Sequence, residues 1–191
     1  QPDIGAFRCE FCESGSGHAS SDTVGATQCV CEPGFYGPPG WTCSICATGK
    51  YSEAYNQPEC TSCGDDATTV GTGSSSDVDC VCNAGYTFDT TTQLCQACVH
   101  GKYKPLIRDQ ECDACAPGGT TTELGTVAQS GCIANVGHIS YAGGGLFAAC
   151  PKGFYQDAVG QTSCKSCLIG STTDDWKSDS TDDCKCTLTG W

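Results

Sequence analysis

Twenty cysteines dominate the reactive side chains of this 191-residue sequence. Thiols at such density can pair as disulfides, hold zinc as thiolates or act as nucleophiles. Zinc would use the recurring Cys-x2-Cys pairs, such as Cys60 with Cys63 and Cys95 with Cys98. Against it stand acidic surroundings and the absence of histidines at regular positions. A nucleophile needs a base beside it. His18, His100 and His138 fall at unrelated places, and no Ser, Cys or carboxylate recurs beside them. No enzyme is expected. Cysteine above a tenth of the chain marks a disulfide scaffold, and such bonds persist only in an oxidising setting, so the chain is expected outside the cell or on its surface.

Nine Lys/Arg against 22 Asp/Glu give a net charge of −13. Nucleic acid and anionic membranes need positive surface, so neither is an expected partner. No run of about 20 apolar residues is present to insert in a bilayer. The carboxylates of Asp65, Asp66, Asp77, Asp79, Asp174, Asp175, Asp179, Asp182 and Asp183 gather in a few loops. No cofactor is expected: hard oxygens suit calcium, but EF-hand spacing is absent, which leaves weak Ca²⁺ bridging between neighbouring molecules as the alternative. No Asn-x-Ser/Thr sequence occurs for N-linked sugar.

The elements that hold these cysteines repeat. Cys12, Cys63, Cys115 and Cys167 are separated by 51, 52 and 52 residues, and Cys29, Cys80, Cys132 and Cys184 follow the same steps. A full unit reads Cys46-x13-Cys60-x2-Cys63-x16-Cys80-x-Cys82-x12-Cys95-x2-Cys98. Such self-similarity signals an array, here divided as 1–45, 46–97, 98–149 and 150–191. Within it Gly34-Phe35-Tyr36, Gly49-Lys50-Tyr51, Gly85-Tyr86, Gly101-Lys102-Tyr103 and Gly153-Phe154-Tyr155 each follow a cysteine by three residues. Glycine there permits a tight turn, and the aromatic covers the nearby disulfide. Gln1–Cys9 lines up with Gln156–Cys164, and Cys186–Trp191 with the stretch from Cys31, so the pattern is expected to continue in both directions.

One broken unit informs the pairing. Counting 52 on from Cys82 and Cys95 reaches Ala134 and Phe147, so two cysteines vanish together. Partners lost as a pair leave no stray thiol. Cys31–Cys43 and Cys82–Cys95 are therefore expected bonds. The remaining positions are expected to pair with sequence neighbours: Cys12–Cys29, Cys46–Cys60, Cys63–Cys80, Cys98–Cys112, Cys115–Cys132, Cys150–Cys164 and Cys167–Cys184. An interleaved arrangement, Cys46–Cys63 with Cys60–Cys80, competes. Cys9 and Cys186 are left to pair elsewhere.

Cys150-Pro-Lys-Gly-Phe-Tyr-Gln-Asp-Ala-Val-Gly-Gln-Thr-Ser-Cys164-Lys-Ser-Cys167 resembles the cysteine-rich, EGF-like repeat of Eph receptor ectodomains. Cys80-Val-Cys82-Asn-Ala-Gly-Tyr86 and Cys29-Val-Cys31-Glu-Pro-Gly-Phe-Tyr36 resemble the second half of that unit. The likeness covers essentially the whole chain and extends loosely to tumour-necrosis-factor-receptor modules. It implies a small disulfide-rich fold: an elongated tandem array of short β-hairpins and loops without a large core. It is specific for architecture and weak for function.

Two features go beyond that pattern. Thr68, Thr69, Thr120, Thr121, Thr172 and Thr173 recur in register in the x16 loops. They suit plain strand and turn structure, O-linked sugars, or threonine contacts between neighbouring arrays. The stretch Ile133–Ala149 has exchanged a cross-link for Ile133, Val136, Ile139, Tyr141, Leu146 and Phe147. Either Phe147 fills the space of the missing disulfide, or the segment docks another subunit. The expected function is structural: a stapled rod in an extracellular filament, surface appendage (such as a flagellar hair) or matrix. Its partners would be copies of itself or other extracellular structural proteins. The stalk of a signalling or adhesion receptor is the alternative.

Overall fold

The segments between cysteines are too short and too rich in Gly, Ser, Thr and Asp to sustain an amphipathic helix, and each opens with a glycine turn before two or three strand-forming residues. Hairpins follow from that. In the computed structural model, which describes residues 30–38, 42–141 and 145–187, eighteen short strands pair into nine two-stranded antiparallel sheets. Every sheet joins strands consecutive in sequence.

Three kinds of hairpin alternate. An A hairpin follows Cys-x-Cys (Cys-x-Ala at Cys132), a B hairpin ends at Cys-x2-Cys, and a C hairpin encloses the x16 loop. The chain divides into two compact units, Gln1–Cys82 and Asn83–Trp191. The first contains A, β1 (Phe35–Tyr36) with β2 (Ser44–Ile45); B, β3 (Lys50–Tyr51) with β4 (Thr61–Ser62); and C, β5 (Ala67–Thr69) with β6 (Cys80–Cys82).

The second unit runs through the series twice. Its first A, B and C are β7 (Tyr86–Asp89) with β8 (Leu94–Ala97), β9 (Lys102–Tyr103) with β10 (Asp113–Ala114), and β11 (Gly119–Thr120) with β12 (Ile133–Ala134). Its second set is β13 (His138–Ser140) with β14 (Phe147–Ala149), β15 (Phe154–Tyr155) with β16 (Lys165–Ser166), and β17 (Ser171–Thr173) with β18 (Cys184–Cys186). A single 3-10 turn precedes the return strand of each C hairpin; Ser76 and Ser180 cap two of these turns by accepting from the Val78 and Asp182 amides.

Isolated hairpins are marginal in water, so something must join them. In the first unit the Gly34 amide donates to the Ser52 carbonyl (2.8 Å), the Ser52 amide to Ser74 (3.1 Å) and the Gly73 amide to Cys46 (2.8 Å). This ladder ties A to B, B to C, and C back to the end of A. The second unit repeats it at Gly85, Lys104, Thr126, Gly125 and Cys98, and again at Gly137, Gln156, Ser178, Lys177 and Cys150. The carbonyls of Gly73, Gly125 and Lys177 press on the α-carbons of Gly34, Gly85 and Gly137. A methyl group there would lie 2.4, 2.2 and 2.2 Å from those oxygens, and φ is +88°, +82° and +72°. Only glycine meets both demands.

Among the described residues, the buried hydrophobic side chains are eight cysteines and Ala134. Sulfur is the core.

Candidate functional site

The disulfides are the positioned chemistry of the chain. The bonds Cys31–Cys43, Cys46–Cys60, Cys63–Cys80, Cys98–Cys112, Cys115–Cys132, Cys150–Cys164 and Cys167–Cys184 each join sequence neighbours, so the interleaved alternative does not occur. Cys82 and Cys95 are also disulfide-bonded. The Cys12–Cys29 pairing and Cys9 lie outside the described residues. Cys186 carries an exposed free thiol.

The paired threonines require a correction. Thr69, Thr121 and Thr173 are 1%, 3% and 1% exposed. Each hydroxyl accepts from a B-hairpin glycine amide (Gly49, Gly101, Gly153) and donates to a carbonyl two residues on (Gly71, Glu123, Asp175). In the folded chain they therefore cannot carry sugars or meet a neighbouring array. They are in register because each bonds its C hairpin to its B hairpin. Thr68, Thr120 and Thr172 are half-buried beside them.

A second register position escaped notice in the sequence because its residue types share nothing. Ser52, Lys104 and Gln156 are 0%, 0% and 1% exposed. Each turns its polar end into the loop of its own B hairpin, where Ser52 Oγ donates to Ala54 O, Lys104 Nζ to Arg108 O and Gln156 Nε2 to Ser163 O. Burial lowers the Lys104 pKa, and the neighbouring Asp109 charge opposes that shift.

The loop carboxylates do not converge. Among the described residues, no three His, Cys, Asp or Glu side chains group as a metal site. Asp79 and Asp183 instead accept from the amides of Ser75 and Asp179, four residues back, and close their own loops. Asp174 pairs with Lys185, and Asp157 with Lys165. These lysines hold both carboxyls below their ordinary pKa, chiefly through the hydrogen bond.

In the third repeat, Ala134 is fully buried in the place of the missing cysteine. Opposite it in register stands Gly119, where the other C hairpins carry Ala67 and Ser171. The Phe147 ring lies on that glycine, such that a methyl group there would sit 2.3 Å from Cε2. His138 covers Gly118 in the same way, at 2.5 Å from its Cδ2. Ile133 and Val136 are half-buried, as is Ile139 opposite Ala148. Tyr141 and Leu146 point outward, 59% and 68% exposed. The segment thus splits into an inward set that replaces a disulfide and an outward pair.

One repeat later, the equivalent face forms a shallow depression of about 440 Å³, lined by Tyr155, Leu168, Ile169, Ser171 and Cys186. Its Leu168 and Ile169 stand at full or near-full exposure.

The family model described as tyrosine-protein kinase ephrin type A/B receptor-like matches residues 34–80, 85–132 and 140–184. These matches keep the phase of the A–B–C groups, whereas the cysteine-based divisions at 46, 98 and 150 describe the same period from a later start. The chain is 32% identical over 134 residues to signal peptide, CUB and EGF-like domain-containing protein 2 of Danio rerio, covering 65% of this chain and 13% of that protein. It is 26% identical over 171 residues to cysteine repeat modular protein A of Toxoplasma gondii, covering 82% of this chain and 5% of that protein. With sushi, von Willebrand factor type A, EGF and pentraxin domain-containing protein 1 of Mus musculus it shares 32% identity over 98 residues, half of this chain and 3% of that protein. The chain thus corresponds to a small part of each relative. Three tandem matches on three A–B–C groups place this extracellular, disulfide-rich chain in the tyrosine-protein kinase ephrin type A/B receptor-like family.

Proposed function

We propose that the chain is a non-catalytic structural segment of an extracellular assembly, a stapled spacer whose repeats set length and stiffness. One observation carries this reading. The A–B–C ladder recurs with the same backbone donors, acceptors and glycine contacts in each repeat, together with the buried threonine that joins C to B, while many side chains outside it differ. Ser, Lys and Gln interchange at one buried position because only the backbone geometry is kept. Function on a shared fold resides in a site of specific side chains, and the recurring feature here is backbone geometry instead. Lateral or end-to-end contacts with copies of itself or with other structural proteins would use outward residues such as Tyr141 and Leu146.

Electron microscopy of native material, with and without reductant, tests the reading. Long regular filaments that soften or fall apart on reduction are expected. Leu146→Asp is expected to weaken assembly without unfolding the adjacent hairpins. Isolated short particles in native material would overturn the filament in favour of a receptor stalk, the reading suggested by the family to which the chain belongs.

A further inference from the structure

Disulfide bonds decide how far a chain can be pulled out without breaking covalent bonds. A stretch enclosed by a bond is bypassed, because tension runs through the sulfurs. Residues 32–42, 47–59, 64–79, 99–111, 116–131, 151–163 and 168–183 are all enclosed in this way. The stretch 83–94 ends on Cys82 and Cys95, both disulfide-bonded. Ile133–Ala149 is different. Its flanking cysteines bond outward, Cys132 to Cys115 and Cys150 to Cys164, so its 17 residues lie in the path of tension.

The geometry points to this A hairpin as a built-in extensible joint, which unfolds and refolds under load while every disulfide stays closed. What holds it is noncovalent. Phe147 rests on Gly119, His138 on Gly118, and β13 and β14 pair over three residues. Within the stretch, β12 also pairs with β11 and the Asn135 amide donates to the Gly118 carbonyl, and four further backbone bonds add to this. The amides of Gly137 and Ser140 donate to Gln156 and Gln161, Gly160 donates to Ala134, and Cys150 to Gly137. The first-unit hairpin has counterparts of all four, in which Asn56 donates to the Cys31 carbonyl where Gly160 donates to that of Ala134. There, however, the Cys31–Cys43 bond also crosses the hairpin base. The third repeat therefore keeps the docked geometry and omits the covalent stop. Gly119 shows that the omission is accommodated: a side chain there would exclude the Phe147 ring. Fully extended, 17 residues span roughly 60 Å at about 3.5 Å each.

The full chain held between handles in a single-molecule pulling experiment, in oxidising buffer, tests this. Expected is one reversible opening that lengthens the chain by roughly 50 Å, the extended span less the folded separation of its ends. Ala134→Cys with Phe147→Cys, oxidised with glutathione disulfide and checked by thiol titration, is expected to abolish that event and leave the rest of the trace unchanged. Gly119→Ala should keep the length gain and lower the opening force, an arm that stands even where the double variant does not close its bond. Absence of the event in the native chain would overturn the joint, and so would its persistence in the verified cross-linked variant. This outcome is independent of whether the chain forms filaments or stalks.

Discussion

The side chains that matter most individually are small and polar. Thr173 accepts from the Gly153 amide and donates to the Asp175 carbonyl at 1% exposure. Thr173→Val removes the hydroxyl and leaves the Gly153 amide without its acceptor, while the Asp175 carbonyl keeps the Ser178 hydroxyl; the orphaned amide costs about 1–3 kcal/mol. Thr172→Val serves as the control, since that side chain is half-buried and its hydroxyl makes a long 3.5 Å contact. Denaturant midpoints of the oxidised variants should separate the two; equal midpoints would remove the structural role assigned to Thr173. Charge matters less. Lys185 lowers the Asp174 pKa, so the pair contributes above the ordinary carboxylate value of 3.8 and is lost as pH falls through the lower folded value. Asp174 in turn raises the Lys185 pKa, so the same contribution is fully present below 10.5 and is lost as pH rises through the higher folded value. Both groups are exposed to solvent, which screens them. Lys185→Met should move the Asp174 midpoint upward in an NMR titration and leave the unfolding midpoint in place.

At the scale of the hairpin, the close approach of one backbone to another is decisive. Gly85→Ala would place a methyl group 2.2 Å from the Gly125 oxygen at a φ of +82°. Strain at that φ alone costs about 1–3 kcal/mol, and the clash must be relieved by withdrawing the C-hairpin tip from the A hairpin. Loss of amide protection at Gly125 and Lys104 in hydrogen exchange is the expected signature, with retained protection in the B hairpin of the next repeat at Tyr155. Unchanged exchange at Gly125 would show that the tip is not held by this contact. Lys177 takes the same left-handed conformation, at φ +69°, that Gly73 and Gly125 occupy in the other repeats. Sequence alone gives no hint of that, because the requirement there is for a backbone angle and an outward carbonyl, and lysine meets it at some cost in strain.

For the molecule as a whole, cross-links take the part of a hydrophobic core. Disulfide-bonded cysteines are 12 to 17 residues apart, and loops of this size contribute about 3 kcal/mol each in the chain-entropy model. Full reduction removes the bonds and the buried apolar surface together, because the buried hydrophobic side chains are cysteines and Ala134. The reduced and alkylated chain should therefore lose protease resistance throughout both units, while chelation of divalent cations leaves it unchanged. Resistance surviving reduction would show that the ladder suffices without sulfur. The repeat period was legible in the sequence, and the family resemblance implied the hairpins. The joint loss of two cysteines in one unit pointed to one kind of bond, whereas for the others spacing left the interleaved pairing open, and only the structure excluded it. Positive-φ turns were legible at Gly34, Gly85 and Gly101 for the local reason that glycine permits them. Tertiary structure alone decided which face each residue shows. It buried Thr69, Thr121 and Thr173, hid Lys104 where Ser52 and Gln156 stand elsewhere, and seated Phe147 on Gly119. Each depends on a backbone group brought from another hairpin, and a contact of that kind leaves no periodic mark in the residues that make it.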